Sequence, residues 1–210
     1  METATLPSFY FGPIQYFTKF LLYSPIFIEE HENFPKQTYR NRCNILSANG
    51  LLSLQVPVEK GSVHKICMRD LRVSYDKPWQ KNHFKSIESA YRTSPFYEYY
   101  IDDLVPVFTR KYDFLLDLNH EINKIIFDIL KIRTTVEATL EYHSNPVVAY
   151  FRSSIHPKVH RNKADFCFKP IEYTQVFAPR FGFVENLSIL DALFCLGPDT
   201  REYLGKCTGF

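Results

Sequence analysis

The stretch QTYRNRCNI, residues 37–45, carries two arginines spaced two residues apart, Arg40 and Arg42. The pattern predicts a β-strand over residues 39–46, and in a strand alternate side chains share a face. Both guanidinium groups would then lie on one face, roughly 6.6 Å apart, with Lys36 just before the strand. This spacing suits two neighbouring phosphates, each held by a charge-assisted fork of hydrogen bonds. The alternative is an edge strand whose charged face is solvated.

A second basic cluster occupies residues 152–163 and contains arginines, lysines and two histidines without an acidic residue. Pro157 argues against a helix, so we expect a loop, and loops of this kind often line binding sites. Lys158 is a candidate anion contact. His156 is a candidate general base, because imidazole titrates near neutral pH. The alternative is a basic loop without a partner.

Other candidate residues are more ambiguous. His83, near the start of a predicted helix, is either a catalytic base or a packed, hydrogen-bonded core residue. Asn41, Tyr173 and Gln175 complete the candidate substrate contacts, and the last two are polar groups in an otherwise apolar segment that either bind a ligand or brace the fold. Cys43 would point away from both arginines in the predicted strand, which favours a buried thiol over a nucleophile.

The apolar pattern predicts an α/β fold in a single domain, residues 1–210, with a mixed sheet and packed helices. A strand at 4–11, a helix from Pro13 to about Tyr23 and a strand at 25–29 form a βαβ-sized unit, which favours parallel pairing. Alternating runs at 39–46 and 51–58, joined through Asn49-Gly50, predict a β-hairpin. The remaining predicted elements are a strand at 65–75, a helix from 80 to before Pro95, a helix at 107–130, strands at 134–141 and 173–177, and a helix between Ser188 and Gly197.

Composition argues against several classes of protein. A net charge of +2 and a hydrophobic share of 45% indicate an ordinary globular domain and give no whole-molecule attraction to nucleic acid. No glycine-rich phosphate-binding loop is present. Five widely spaced cysteines without a C-x-x-C pair indicate reduced thiols, no metal site and a cytoplasmic location. No segment approaches the roughly 20 apolar residues of a membrane span.

Segments along nearly the whole chain resemble, in order, the WbqC-like family of bacterial proteins. They are FGPIQYF (11–17), KQTYRNRCNI (36–45), LLSLQVPV (51–58), WQKNHFKSIESAYRTSPFY (79–97), DLNHEINKIIFDIL (117–130), IHPK (155–158), YTQVF (173–177) and NLSILDALFCLGP (186–198). Members occur in gene clusters for O-antigen and other surface polysaccharides. Many begin with His-Gln-Pro before the first aromatic turn, whereas this chain has Leu6-Pro-Ser-Phe9 and no histidine before His31. A catalytic base would therefore have to come from elsewhere.

The resemblance implies a transferase that attaches an aminoacyl (glycyl) group to an activated amino sugar. Such an enzyme needs an anion grip for a sugar nucleotide or phosphorylated carrier, and a base for the attacking amine. The alternative is a non-catalytic binding or scaffold protein of a polysaccharide assembly complex. Neither interpretation involves nucleic acid, a membrane span, a metal or a cofactor, and the oligomeric state stays open. If Arg40 belongs to the grip, Arg40→Ala should weaken ligand binding and leave the melting temperature nearly unchanged.

Overall fold

The computed structural model describes residues 2–59, 65–142, 149–152, 154–158 and 165–209. The strands are β1 (Ala4–Pro7), β2 (Ile26–Glu29), β3 (Arg42–Ser47), β4 (Gly50–Gln55), β5 (Val136–Ala138) and β6 (Ala149–Tyr150). The α-helices are α1 (Ile14–Leu22), α2 (Trp79–Tyr91), α3 (Tyr97–Thr109), α4 (Leu115–Leu130), α5 (Ala178–Phe181), α6 (Ile189–Leu196) and α7 (Thr200–Lys206). The predicted α/β fold class is confirmed.

Four strands form a parallel sheet with the order β5-β2-β1-β6. The predicted strand-helix-strand unit is present as β1-α1-β2, with β1 and β2 paired in parallel. Helix α1 begins directly after Pro13, whose missing N–H is not needed at a helix start. Even the polar side chains of α1 are buried, and the ammonium group of Lys19 lies 2.6 Å from the Asp165 carboxylate. The helix is therefore fixed on both its apolar and its polar sides.

The hairpin forms a separate two-stranded antiparallel sheet of β3 and β4, closed at Ser47 and Gly50. The prediction that its first strand begins at Tyr39 is wrong. Residues Tyr39–Asn41 form a 3₁₀ turn, and the strand begins only at Arg42. The turn follows a hydrogen bond from Thr38 Oγ1 to the Pro35 carbonyl, 2.9 Å long, which bends the chain before the hairpin. Arg40 and Arg42 consequently do not share a strand face.

The central helices pack around the hairpin: α2 contacts β3 and α3, and α3 contacts α4 and α6. The predicted helix at 107–130 is in fact the end of α3 and the whole of α4, separated by residues 110–114. The strand predicted at 65–75 is wrong, because that segment forms a 3₁₀ turn, Met68–Asp70, with only isolated bridges on either side. Helix α2 begins at Trp79, close to the predicted start, and its first turn faces the end of the hairpin.

The strand predicted at 173–177 is also wrong, for a reason visible in one side chain. The Gln175 amide donates to the Val184 carbonyl at 2.9 Å and accepts from the Val184 N–H at 2.9 Å. The Gln175 side chain thus bonds both backbone groups of Val184, in the way that a neighbouring strand would. Further along, Ser188 caps α6, and Gly197 ends it with φ of +57°, where a Cβ would lie 2.5 Å from Phe96.

Among the helices in the described ranges, none is both long enough and apolar enough to cross a membrane.

A candidate anion-binding groove

Three of the predicted substrate contacts, Lys36, Asn41 and Arg42, line one cavity of about 440 Å³ where β3 begins. The other lining residues are Phe34, Gln37, Gln55, Pro57 and Val58. The 3₁₀ turn brings Asn41 and Arg42 to this position, and the last residue of β4, Gln55, pairs with Arg42 across the hairpin. The cavity is thus lined by the end of the hairpin, which carries Arg42, and by a second cationic side chain, Lys36. We call it the Arg42 cavity.

The polar atoms of the Arg42 cavity are incompletely satisfied by the protein. Arg42 Nη2 donates to Gln55 Oε1 at 3.1 Å, while the buried Nε of Arg42 has no hydrogen-bond partner among the described residues. Asn41 Nδ2 donates to the Val56 carbonyl at 2.8 Å, but no described residue donates to its buried Oδ1. An unsatisfied buried polar group costs about 1–3 kcal/mol, so each of these atoms would be stabilised by a further hydrogen-bond partner.

Lys158 lies at the rim of the same cavity, because its ammonium group donates to Gln37 Oε1 at 2.6 Å. His156 is two residues earlier, is buried, and accepts a hydrogen bond at Nδ1 from the Lys158 backbone N–H at 2.9 Å. The described part of the predicted basic cluster is Arg152 and residues 154–158, and Lys158 places its end beside the turn that carries the cavity. The other basic residues predicted there, from 159 to 163, lie outside the described residues.

A second, smaller cavity of about 260 Å³ opens beside the first, at the start of α2. Its lining residues are Gln55, Pro57, Lys77, Trp79, Asn82 and His83. Because Gln55 and Pro57 line both cavities, the two adjoin along the end of the hairpin. We call the smaller one the Trp79 cavity, and the two together the groove.

His83 reaches the Trp79 cavity, yet its ring is held like a core residue. It is 5% exposed, its Nδ1 lies 2.9 Å from the Tyr10 hydroxyl, and it makes a second hydrogen bond to the Gln55 backbone. Burial lowers the pKa of His83 to about 4, against a partial opposing effect of the Gln55 bond. The imidazole is neutral at pH 7 but is a much weaker base than an ordinary histidine.

Arg40 has a different place from the one predicted. It is 2% exposed, and its Nε and Nη2 both donate to the buried carboxylate of Glu32. Arg152 pairs with the same carboxylate, with its Nε 2.6 Å from Oε2. Arg40 thus belongs to a buried ion triad and does not line the groove. The predicted pairing of Arg40 with Arg42 as one phosphate grip is wrong because the chain turns between them.

Tyr173 and Gln175 form another internal cluster, around Asp191 of α6. Asp191 accepts hydrogen bonds from Tyr173 at 2.5 Å, from Tyr91 at 2.9 Å and from Gln175 at 3.2 Å. Burial raises the pKa of Asp191, and the three donors oppose that shift. Tyr91 ends α2, two helical turns and about 12 Å from His83, so this cluster is separate from the groove. It braces α2 against α6.

Cys43 is fully buried, and burial raises the pKa of its thiol. A thiol in this state has little of the thiolate that nucleophilic attack requires. Within the ranges that the structure describes, no group of three or more His, Cys, Asp or Glu side chains is placed to hold a metal ion.

The sequence reasoning did not include eight of the residues that line the groove, five of which carry polar groups: Gln37, Gln55, Lys77, Trp79 and Asn82. The sequence did contain a signal for these positions. Pro57 follows the second strand of the hairpin and Pro78 precedes the helix that starts at Trp79, so each proline marks the end of an element. What the sequence did not show is that these two ends meet.

The fold and the groove define a class: an α/β protein with a cationic groove between a hairpin end and a helix N-terminus. The model of the WbqC-like protein family matches residues 8–148, two thirds of the chain, and the protein belongs to that family. Lys36, Arg42, Trp79 and His83 all lie inside the matched region, whereas Lys158 lies beyond it.

The chain is also similar to the uncharacterized protein Rv1507c of Mycobacterium tuberculosis, with 25% identity over 224 residues. The similarity covers 94% of this chain and 92% of the mycobacterial protein. No solved structure matches the chain.

Proposed function

We propose that the protein binds a phosphate-bearing sugar, such as a sugar nucleotide or a phosphorylated carrier, in the Arg42 cavity. The observation that carries the proposal is Arg42 itself, a guanidinium that lines the cavity with a buried Nε lacking a partner among the described residues. Arginine suits phosphate because its planar fork donates two parallel hydrogen bonds to neighbouring oxygens.

The surroundings of Arg42 support the same ligand class. Lys36 lines the cavity, Lys158 stands at its rim, and no carboxylate is among the lining residues. Gln55 and Asn41 add neutral amide groups, which can bind sugar hydroxyls or the phosphate ester oxygen. A few polar groups converging on a partly apolar cavity are typical of small-molecule sites.

Within this proposal, the groove favours binding over chemistry. In aminoacyl transfer the sugar amine attacks the acyl carbonyl, a C–N bond forms, the donor's leaving group departs, and the amine proton passes to a base. His83 is a poor base because its pKa is lowered to about 4 and its ring is engaged by Tyr10 and Gln55. The other candidate base, His156, has its Nδ1 engaged by the Lys158 backbone N–H at 2.9 Å. Both observations favour the non-catalytic binding protein. A cytoplasmic transferase of surface polysaccharide synthesis stays a prediction from the family resemblance.

Isothermal titration with UDP-N-acetylglucosamine and with glucose 1-phosphate tests the binding proposal. We expect saturable binding of both, and binding at least about tenfold weaker in Arg42→Ala, since the charge-assisted hydrogen bonds of one guanidinium are lost. Arg201→Ala is the matched control, because Arg201 is an exposed arginine on α7. Equal affinity of Arg42→Ala and wild type, or no binding of either probe, would contradict the proposal.

Turnover separates the enzyme from the binding protein. A UDP-linked amino sugar is incubated with an activated aminoacyl donor, and the products are followed by mass spectrometry. A time-dependent gain of one aminoacyl mass supports the transferase. An unchanged sugar nucleotide that still binds supports the non-catalytic protein.

A further inference from the structure

We infer that the Trp79 cavity is a second oxyanion subsite of the same groove, so that the preferred ligand is a sugar carrying two anionic groups. The first group is the phosphate that the proposed function assigns to the Arg42 cavity, and the inference rests on that assignment. The second group is a phosphate or a carboxylate, held at the start of α2.

The two cavities are placed to hold one ligand. Gln55 and Pro57 line both of them, so a molecule in the Arg42 cavity needs only to pass these two residues to reach Trp79. The side chain of Gln55 is anchored by Arg42 at 3.1 Å. Gln55, which lies between the two subsites, is therefore held by a hydrogen bond from a residue of the first subsite.

The electrostatic surroundings of the Trp79 cavity favour an anion. Helix α2 is 13 residues long, begins at Trp79 and has no acidic residue in its first turn. Its N-terminus carries the partial positive charge of the helix dipole. Lys77 adds a full positive charge, and the lining residues include no carboxylate. Asp76, the acid nearest in sequence, instead accepts a hydrogen bond from Ser74 at 2.9 Å and is not part of the lining.

A second observation, independent of the helix, is the indole nitrogen of Trp79. Trp79 is 4% exposed, and its buried Nε1–H has no acceptor among the residues that the structure describes. The ring is held by contacts with Tyr10, Tyr75 and His83, with centroids 6.3, 6.0 and 5.2 Å away. An N–H group donates only, so the missing partner is an acceptor.

The remaining lining groups are consistent with an acceptor-rich ligand. Asn82 is exposed and offers an amide, and His83 is uncharged at neutral pH. Nothing in this lining attracts a cation, because no acid is present to pair with one. Carboxylate and phosphate oxygens are the acceptors that accept several N–H donors at once.

Three matched sugars test the inference: glucose 1-phosphate has one anion, glucose 1,6-bisphosphate adds a phosphate, and glucuronic acid 1-phosphate adds a carboxylate. We expect at least one of the two doubly anionic probes to bind about tenfold more tightly than glucose 1-phosphate. The probe with the larger gain in affinity identifies the second group.

Trp79 is the chain's single tryptophan, so its fluorescence reports this cavity alone. Trp79 lines the cavity, so a ligand bound there is expected to change that fluorescence.

Variants separate the second subsite from the first. Lys77→Ala and Asn82→Ala should each reduce the advantage of the doubly anionic probe and leave glucose 1-phosphate binding unchanged. Lys81→Ala is the control, since Lys81 is an exposed lysine of the same helix that does not line the cavity.

Equal affinity of all three sugars, or an advantage that survives both Lys77→Ala and Asn82→Ala, would overturn the inference alone. Binding that depends on Lys77 but not on Arg42 would overturn the proposed function and leave the Trp79 subsite standing. Absence of binding by all three sugars would overturn both.

Discussion

Arg40 and Arg42 are two residues apart in sequence, yet the structure gives them opposite environments. Arg40 turns inward, where its guanidinium donates twice to Glu32 and stacks over Phe9 at 5.8 Å. Arg42 lies on the cavity wall, with one bond to Gln55 and a buried Nε that no described residue satisfies. The two arginines differ in how completely the fold satisfies their donors, and it is on this difference that we assign Arg40 to the fold and propose Arg42 for a ligand.

The same contrast in completeness of hydrogen bonding separates the Asp191 cluster from the groove. The Asp191 cluster places three donors on a single carboxylate, as a buried charge requires. The groove instead combines three buried polar atoms, Asn41 Oδ1, Arg42 Nε and Trp79 Nε1, that lack partners in the described chain. Buried polar groups are nearly always satisfied in native proteins, and three of the seven buried side-chain atoms without a partner in the described chain belong to residues that line the groove.

The largest expected effect is on stability, at Arg40. Arg40→Ala removes two charge-assisted hydrogen bonds from buried Glu32, which keeps Arg152 as its remaining partner, and should lower the free energy of unfolding by about 3–5 kcal/mol. Urea denaturation followed by circular dichroism measures it, with Arg42→Ala as the matched control at a loss below about 0.5 kcal/mol. A loss of this size is the opposite of the expectation from sequence, which was that Arg40→Ala would leave the melting temperature nearly unchanged. Similar losses in both variants would remove the contrast between the two arginines.

A second expected effect concerns His83 and pH. The folded-state pKa of about 4 lies below the ordinary value of 6.5, so the unfolded chain takes up a proton first as the pH falls. Stability contributed by neutral His83 is complete above pH 6.5 and is lost between pH 6.5 and 4. The loss by pH 4 is about 3 kcal/mol.

Unfolding free energies of wild type and His83→Gln at pH 7 and pH 4 isolate this contribution. We expect the wild type to lose about 3 kcal/mol more than the variant over this range. Equal losses would show that His83 is not the buried neutral residue described, and would return it to consideration as a base.

A smaller loss is expected where one donor leaves the Asp191 cluster. Tyr91→Phe removes a 2.9 Å hydrogen bond to a buried carboxylate and should lower the free energy of unfolding by about 2 kcal/mol. Tyr99→Phe, at a tyrosine that is 75% exposed, should change it by less than about 0.5 kcal/mol. Ligand affinity should be unchanged in both. Weaker sugar-phosphate binding by Tyr91→Phe would mean that the cluster belongs to the site after all.

The strand-helix-strand unit, the hairpin and the starts of α2 and α6 were predictable because each depends on local signals. Pro13, Asn49-Gly50, Ser188 and Gly197 act within a few residues of themselves. The strands expected at 65–75 and 173–177 failed because distant partners decide them. Gln175, for example, uses its side chain to complete the backbone bonds of Val184.

The candidate site was predictable only in part, for the same reason. Lys36, Asn41 and Arg42 are close in sequence, so local reasoning placed them together, and the structure puts them on one cavity. The position of Arg40 depends on Glu32 and on Arg152, which is 112 residues away. Trp79 joins the groove only because α2 packs against β3. No local pattern contains that information.

Melting of Arg42→Ala with and without saturating glucose 1-phosphate tests the central claim most directly. A ligand that binds the folded state raises the melting temperature, so wild type should melt at a higher temperature when the sugar is present. Without the sugar, Arg42→Ala should melt at the wild-type temperature, and with the sugar its increase should be largely lost. An increase equal to that of wild type, or a lower melting temperature without the sugar, would contradict the claim that Arg42 serves a ligand and not the fold.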